Sequence, residues 1–209
     1  MRGKFLTIEG TEGVGKTTNI NFIEEWLNSH NIPFVSTREP GGTPLAEEIR
    51  EVLLSNREEQ VCSKAELLMM FAGRAQHIDQ VIEPELAKGN WVLCDRFTDA
   101  TYAYQGAGRQ MGNELIASLE TMVQGSMRPD LTLILDVPVE LGLERAGKRS
   151  EPDRFECEKT DFFNRVRQAY LSMANKNPQR YKIIDASQTI NLVQQQIADS
   201  LDNFLLVDH

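Results

Sequence analysis

The chain has 209 residues, of which 41% are hydrophobic and 25% charged, and its formal net charge is −9. This length and composition predict one soluble globular domain over residues 1–209, with enough apolar residues for a sizeable core. The negative charge argues against binding to a nucleic-acid polymer or an anionic membrane, since both repel an acidic protein. A small anionic ligand remains compatible with it if basic residues gather at one site.

Neither a membrane span nor a secretory leader is indicated. No apolar run approaches the roughly 20 residues that a bilayer span needs, and the apolar stretch 5–8 after the charged start is too short for a signal peptide. The cysteines are odd in number and lack C-x-x-C spacing, so we expect free thiols at Cys62, Cys94 and Cys157. The sequence therefore predicts a cytoplasmic protein.

Strands and helices are predicted to alternate along most of the chain. In chain order they are strand 5–8, helix 17–30, strand 33–37, helix 44–54, helix 64–88 with a bend near Pro84, strand 91–94, helix 113–124, strand 131–135, helices 139–146 and 161–174, strand 182–184 and helix 190–206. This alternation predicts an α/β fold, with a five-stranded parallel sheet between two layers of helices. The polar segment 147–157 has no apolar rhythm, which indicates an exposed and mobile loop.

The segment EGTEGVGKTT at 9–18 has the spacing of a phosphate-binding P-loop. Glycines such as Gly10 and Gly15 let successive backbone N–H groups point at an anion, and the following helix adds its positive end. Lys16 supplies a charge for the β and γ phosphates, and the Thr17 hydroxyl can bind Mg²⁺. A purely structural glycine-rich turn is the alternative, but the strand before and the helix after the segment favour the P-loop.

Two acidic residues follow predicted strands and could complete a magnesium site. Asp95 is followed at once by Arg96, whereas Asp136 is followed by Val137 and Pro138. Either aspartate could instead cap a helix. We favour Asp95, because its neighbour adds anion-binding chemistry at the same strand end.

A second anion site is indicated by TREPGGT at 37–43, directly after the second predicted strand. Arg38 and Arg96 would lie on neighbouring strand ends, where two guanidinium groups can bind one phosphate. The alternative is that Arg38 is a surface residue in a turn. The tight Pro-Gly-Gly turn also predicts a cis Glu39–Pro40 bond.

Together these features resemble bacterial thymidylate kinases (dTMP kinases) over nearly the whole chain. The blocks that carry the resemblance are the P-loop with Glu12, TREPGGT, FAGRAQH at 71–77, DRFTDATYAYQGAGR at 95–109, RPDLTLILDV at 128–137, and DRFE and DFFNR within 153–165. The resemblance implies a P-loop kinase that transfers the γ-phosphoryl group of ATP to dTMP, giving dTDP and ADP for dTTP synthesis. It also implies Mg²⁺ as cofactor, a homodimer, and a mobile lid at about 147–157.

The resemblance further implies site residues. Those for ATP are Gly10, Glu12, Gly13, Val14, Gly15, Lys16, Thr17, Thr18 and Arg145, the last covering the adenine. Those for dTMP are Glu12, Arg38, Pro40, Phe71, Arg74, Arg96, Thr101, Tyr104 and Gln105. In this set Phe71 would stack on thymine, Arg74 would bond its edge and Tyr104 would lie against the sugar. Phe71 and Tyr104 also sit at helical spacing, so each could simply belong to the core.

The catalytic set implied is Lys16, Asp95, Arg96 and an arginine of the lid. Some relatives carry an arginine where this chain has Gly13, so the moving phosphoryl group needs an arginine from elsewhere. The lid offers Arg149 and Arg154, and we favour Arg149 because Arg154 is next to Asp153. Ala100 replaces a serine that is common in the family, which puts one acceptor contact in doubt.

Two other functions remain open at this stage. A different phosphotransferase, such as a nucleoside kinase, would not need paired arginines at the acceptor phosphate. A P-loop switch protein is the non-enzymatic alternative. A GTPase would carry N-K-x-D for guanine, but the string at 175–178 reads NKNP and lacks the aspartate.

Overall fold

The computed structural model of the protein describes residues 2–147, 154–155 and 158–207. Five strands form one sheet within these residues, and they are β1 (Phe5–Glu9), β2 (Phe34–Arg38), β3 (Trp91–Asp95), β4 (Leu131–Asp136) and β5 (Tyr181–Asp185). The strand order is β2-β3-β1-β4-β5, and every neighbouring pair is parallel. The predicted α/β fold with a five-stranded parallel sheet is confirmed.

Parallel pairing brings the carboxyl ends of the strands to one edge of the sheet. Ile8 near the end of β1 is in register with Asp95 on β3 and with Leu133 on β4. Arg38 at the end of β2 is in register with Asp95 as well. The loops that follow β1, β2 and β3 therefore meet at this edge, where parallel sheets bind their ligands.

Helices cover both faces of the sheet. They are α1 (Lys16–Ser29), α2 (Pro44–Leu54), α3 (Ser63–His77), α4 (Glu83–Ala87), α5 (Thr98–Thr101), α6 (Asn113–Gln124), α7 (Val139–Ala146), α8 (Thr160–Lys176) and α9 (Ile190–Val207). None of the helices in the described ranges is both long and apolar enough to cross a membrane.

Alternate side chains of the strands enter separate cores. Leu6 and Ile8 of β1 face α1 and α9, where they pack with Ile23 and Ile197. Phe5 points to the opposite face of the sheet, where it packs with residues of α4 and β3. Because successive strand residues point to opposite faces, this split produces the predicted three layers.

The long helix predicted over 64–88 is continuous but not regular. A π-helical turn, Ile78–Ile82, joins α3 to α4, and Pro84 lies in the first turn of α4. Proline has no N–H to donate to the carbonyl of residue 80 and clashes with it, so the preceding turn widens. The predicted irregularity is therefore present, one turn ahead of Pro84.

The helical element that follows β3, Thr98–Gly108, was not predicted from the sequence. The short helix α5 continues into a π-helical turn, Tyr102–Gly108. Gly108 lets α8 approach closely, since a Cβ at Gly108 would come within 2.5 Å of the Phe162 ring. This element carries Thr101, Tyr104 and Gln105, so it forms one wall of the site described below.

Candidate active site

The P-loop joins the end of β1 to the start of α1. Gly13 and Gly15 have φ angles of 71° and 89°, which only glycine adopts without strain. A Cβ at Gly13 would lie 1.8 Å from the carbonyl oxygen of Gly142 in α7, so no side chain fits there without a backbone shift. An arginine therefore cannot be supplied at position 13.

Lys16 lies over the loop that precedes it. Its Nζ is 3.3 Å from the carbonyl oxygen of Thr11 and 3.5 Å from that of Gly10, and the residue is 8% exposed. Burial and the positive charge of Arg96 lower the pKa of Lys16, against the opposing effect of Glu12. Thr17 and Thr18 are exposed at the first turn of α1, while Val14 is buried beneath the loop.

The two candidate magnesium ligands differ in their surroundings. Asp136 accepts two hydrogen bonds from the Arg167 guanidinium, at 2.7 and 2.8 Å, so both of its oxygens are engaged. Asp95 has a buried Oδ1 with no hydrogen-bond partner, and it lines the same groove as Thr17. No cluster of three metal-binding side chains occurs in the described ranges. A P-loop magnesium site needs only such a carboxylate, the Thr17 hydroxyl and phosphate oxygens, and Asp95 fits that donor set.

A cavity opens beside the P-loop. The residues that line it are Glu12, Glu39, Pro40, Arg50, Leu54, Met70, Arg74, Arg96, Phe97, Ala100, Thr101, Tyr104, Gln105 and Phe155. Three arginines in one cavity make a site for an anion. Since Glu12 belongs to the P-loop itself, this cavity adjoins the P-loop.

Arg96 connects the cavity to the P-loop. Its φ angle of 66° places it in the left-handed region, and its Nη2 donates to Glu12 Oε1 at 2.5 Å and to the Tyr104 hydroxyl oxygen at 3.0 Å. Burial opposes ionisation of Glu12, but the charges of Arg96 and Lys16 outweigh it and lower the pKa of Glu12 to about 2. The left-handed backbone is the kind of strain that functional sites retain.

A buried network holds Arg74 at the far wall of the cavity. Arg74 Nε donates to Glu39 Oε2 at 2.8 Å, and Arg74 Nη2 donates to the Thr101 hydroxyl at 3.0 Å. Glu39 Oε1 is 3.0 Å from His77 Nδ1, and His77 Nε2 is 2.7 Å from the Thr37 hydroxyl. Arg74 Nη1 is buried without a partner, so this arginine retains a donor for a ligand.

Met70, and not Phe71, lines the cavity together with Arg74 of the same helix. Among the residues described, Met70 is part of the lining, whereas Phe71 is 2% exposed and packs with Leu67 and Ile116. Adjacent helical residues point about 100° apart, and Met70 is one turn from Arg74, on the same helix face. The expected stacking of Phe71 on a ligand is therefore corrected, and its alternative as a core residue holds.

Arg38 and Arg96 do not converge on one site in the described part of the chain. The Arg38 side chain is 53% exposed and pairs with Glu47 at 2.8 Å, and it lines a neighbouring groove with Thr17 and Asp95. Arg50 on α2, in contrast, lines the cavity with Arg96, and its Nη1 donates to the Pro40 carbonyl at 2.8 Å. The Glu39–Pro40 bond is cis, as predicted.

Arg145 and Arg154 are not among the residues that line this cavity. Arg145, at the end of α7, donates from Nη1 to the Ala186 carbonyl at 3.0 Å. Arg154 donates from Nη1 to Glu66 at 2.7 Å and from Nε to the Leu53 carbonyl at 2.8 Å. The predicted lid at 147–157 falls mostly outside the described residues, and Arg149 and Asp153 lie there.

Glu9, the last residue of β1, is a buried acid that sequence reasoning did not single out. It is 0% exposed, and it accepts hydrogen bonds at 2.7 Å from the Phe97 N–H and from the Tyr170 hydroxyl. Burial and the nearby charge of Asp99 raise the pKa of Glu9 to about 8.

Comparison with known proteins yields one family. A family model described as thymidylate kinase matches residues 8–197. The thymidylate kinase of Teredinibacter turnerae is 58% identical over 205 residues, which cover 98% of this chain and 100% of the relative. That of Pseudomonas putida is 56% identical over 197 residues, 94% of each chain. The crystal structure of thymidylate kinase from Ehrlichia chaffeensis aligns with a TM-score of 0.76 at 33% identity, covering 96% of this chain and 99% of its own.

The raised pKa of Glu9 predicts a specific pH dependence of stability. The folded chain binds this proton up to about pH 8, whereas the unfolded chain releases it near pH 4.5, so burial of Glu9 lowers stability as pH rises through that window. The free energy of unfolding of Glu9→Gln, taken relative to that of wild type, should be higher at pH 8.5 than at pH 5 by at least about 1 kcal/mol. Urea unfolding at both pH values measures this.

The exposed Glu25 gives a matched control for the same replacement. Glu25→Gln should shift stability equally at both pH values. A Glu9→Gln variant whose difference from wild type is the same at pH 5 and pH 8.5 would contradict the assignment.

Proposed function

The chain belongs to the thymidylate kinase family, and on that basis we propose that it binds dTMP in the three-arginine cavity and ATP on the P-loop. It is a kinase that transfers the γ-phosphoryl group of ATP to dTMP, giving dTDP. The observation that carries the proposed site is that Glu12 belongs to the P-loop and also lines the cavity with Arg96. Donor and acceptor phosphates would thus meet at the Glu12–Arg96 pair.

Arg50 and Arg96 are proposed to hold the phosphate of dTMP. Burial lowers the pKa of Arg50 most, and the positive charges of Arg38 and Arg96 lower it further. A phosphate dianion would offset these positive charges and would use the fork geometry of the Arg50 and Arg96 guanidinium groups. Arg38 lies farther out, in the groove that also holds Thr17, so we assign it to the mouth between the two nucleotides.

The thymine ring is proposed to lie between Met70 and the wall formed by Thr101, Gln105 and Phe155. A methionine is flexible and polarizable, so it can pack against an aromatic face as the expected phenylalanine would. The free Nη1 of Arg74 supplies a donor for a thymine carbonyl. Tyr104 and Glu12 lie between this pocket and the P-loop, where the sugar of dTMP would sit.

The donor phosphates would be bound by Lys16 and by backbone N–H groups of residues 13–18. Thr17 and Asp95 would hold Mg²⁺, which neutralises phosphate charge when bound. Arg145 is proposed to lie against the adenine. Because Arg154 is engaged with Glu66 and the backbone, Arg149 remains our choice for the arginine that meets the transferred phosphoryl group.

A homodimer is proposed on the surface formed by α2, α3 and α6. Exposed apolar side chains recur on these helices, and they are Leu45, Val52, Leu68, Leu115 and Met122. The pairs on α2 and α6 are each seven residues apart, which places them on one helix face, and α3 packs against both helices. We further propose that the enzyme works in the cytoplasm, where the thiols of Cys62 and Cys94 stay reduced.

The acceptor site is tested by comparing two arginines. Arg50→Ala should weaken dTMP binding by about 2–5 kcal/mol, because a charged partner of the buried phosphate is lost. Arg38→Ala should cost clearly less, since that side chain is half exposed and paired with Glu47. Calorimetry with dTMP and with ATP measures both variants, and a larger loss for Arg38→Ala would place the phosphate in the outer groove.

The magnesium site is tested by two aspartates. Asp95→Asn should lower kcat at saturating Mg²⁺ by about 10²-fold or more, since a metal at a transferring phosphoryl group is worth several kcal/mol. Asp136→Asn breaks the pair with Arg167, so it should lower the melting temperature while kcat stays within a few-fold of wild type. The opposite ranking of the two kcat values would assign the metal to Asp136.

The proposed dimer surface is tested at Leu68, whose exposed fraction is 57%. Leu68→Glu should give a monomer in analytical ultracentrifugation, because two carboxylates would be buried without partners at the interface. Leu192 on α9 is 52% exposed and provides the control. A dimeric Leu68→Glu variant, or a Leu192→Glu monomer, would contradict the choice of surface.

A further inference from the structure

We propose that Glu66 sets the base selectivity of the acceptor cavity by fixing which end of the Gln105 amide faces the base. Glu66 is a positioning residue in this scheme, since it lies outside the cavity lining and acts through Gln105. The inference rests on the proposed role of Gln105 in the thymine pocket, and the experiment below separates the two.

Glu66 is a fully buried carboxylate in the first turn of α3. Its Oε1 accepts from Gln105 Nε2 at 2.8 Å, and its Oε2 accepts from Arg154 Nη1 at 2.7 Å. Arg109 donates to both oxygens at 3.3 Å. Glu66 is 0% exposed and Gln105 is 1% exposed, so water does not compete for these bonds.

The carboxylate determines the orientation of the Gln105 amide. A glutamine amide can be turned by 180° with almost no change in shape, which exchanges its donor and its acceptor. An ionised carboxylate can only accept hydrogen bonds, so it holds the NH₂ group of Gln105 toward itself. The carbonyl oxygen of Gln105 is then directed away from Glu66, and Gln105 is part of the cavity lining.

This orientation suits thymine and opposes cytosine. The N3 atom of thymine carries a proton and donates, whereas N3 of cytosine is an acceptor, and the neighbouring exocyclic group changes from a carbonyl to an amine. A carbonyl oxygen from Gln105 and a donor from Arg74 match the thymine pattern. The same pair would present two mismatches to cytosine, and buried polar mismatches discriminate strongly.

Loss of the negative charge at Glu66 should reverse the orientation of the Gln105 side-chain amide. In Glu66→Gln the new carbonyl oxygen is needed by Arg154, which leaves the new NH₂ group facing Gln105. Gln105 must then turn its carbonyl oxygen toward residue 66 and its NH₂ group toward the base. A purely structural role for Glu66, as an anchor for Arg109 and Arg154, would lower stability without changing which base is preferred.

The experiment compares kcat/KM for dTMP and for dCMP, with ATP as donor. Glu66→Gln should reduce the dTMP-to-dCMP ratio by about tenfold or more. Glu120→Gln is the control, because Glu120 is also a buried glutamate that accepts from a glutamine, Gln124, and from an arginine, Arg128. The control should keep the wild-type ratio, and a folded Glu66→Gln enzyme with a ratio within twofold of wild type would overturn the inference.

A charge swap keeps the inference testable if Glu66→Gln does not fold. In the double variant Glu66→Gln with Gln105→Glu, the amide donates to the new carboxylate, whose other oxygen can accept from thymine N3–H. Selectivity for dTMP should return, and a double variant that prefers dCMP or shows no preference would overturn the inference.

Gln105→Leu separates this inference from the proposed base pocket. If Gln105→Leu keeps the wild-type ratio, the proposed contact between Gln105 and the base is wrong, and the inference is wrong with it. If Gln105→Leu loses selectivity while Glu66→Gln retains it, the pocket stands and only the role of Glu66 is rejected.

Discussion

The contact between Arg96 and Glu12 is the interaction on which the site depends. Glu12 lies in the loop after β1, and Arg96 follows β3, its neighbour in the sheet. The parallel arrangement brings both loops to one edge, and the left-handed backbone of Arg96 turns its side chain toward the P-loop. This ion pair therefore joins the P-loop to the cavity beside it.

Three carboxylates, two of them buried, are paired with arginines around the same cavity. Besides Glu12, they are Glu39 with Arg74 and Glu66 with Arg109 and Arg154. Buried ion pairs add little net stability, because desolvation offsets their attraction. Their effect here is orientation, since each carboxylate accepts from a side chain that lines the cavity. The polar groups of the cavity are held by these pairs, while Met70 and Leu54 supply flexible apolar parts of its wall.

The parts of the fold that the sequence predicted are those with local causes. Strand patterns, the P-loop spacing and the Asp95–Arg96 pair each lie within a few consecutive residues, and the cis Glu39–Pro40 bond follows from a tight local turn. The phase of a helix depends on distant partners instead. Phe71 faces the core because α6 provides Ile116 there, and this rotates Met70 into the cavity. Nothing in FAGRAQH alone distinguishes these two orientations.

Dependence on distant partners also explains why the sequence did not predict the positions of Arg38 and Arg50 or the helical element after β3. Arg50 reaches the cavity because Pro40 offers a carbonyl acceptor across the turn, while Arg38 is drawn outward by Glu47, nine residues away. The element Thr98–Gly108 has a glycine-rich end that does not favour a helix by propensity. It forms because α8 packs against Gly108, and its widened turn then carries Tyr104 and Gln105 to the cavity wall. Tertiary packing therefore completes the wall of the cavity, whereas the P-loop is encoded locally.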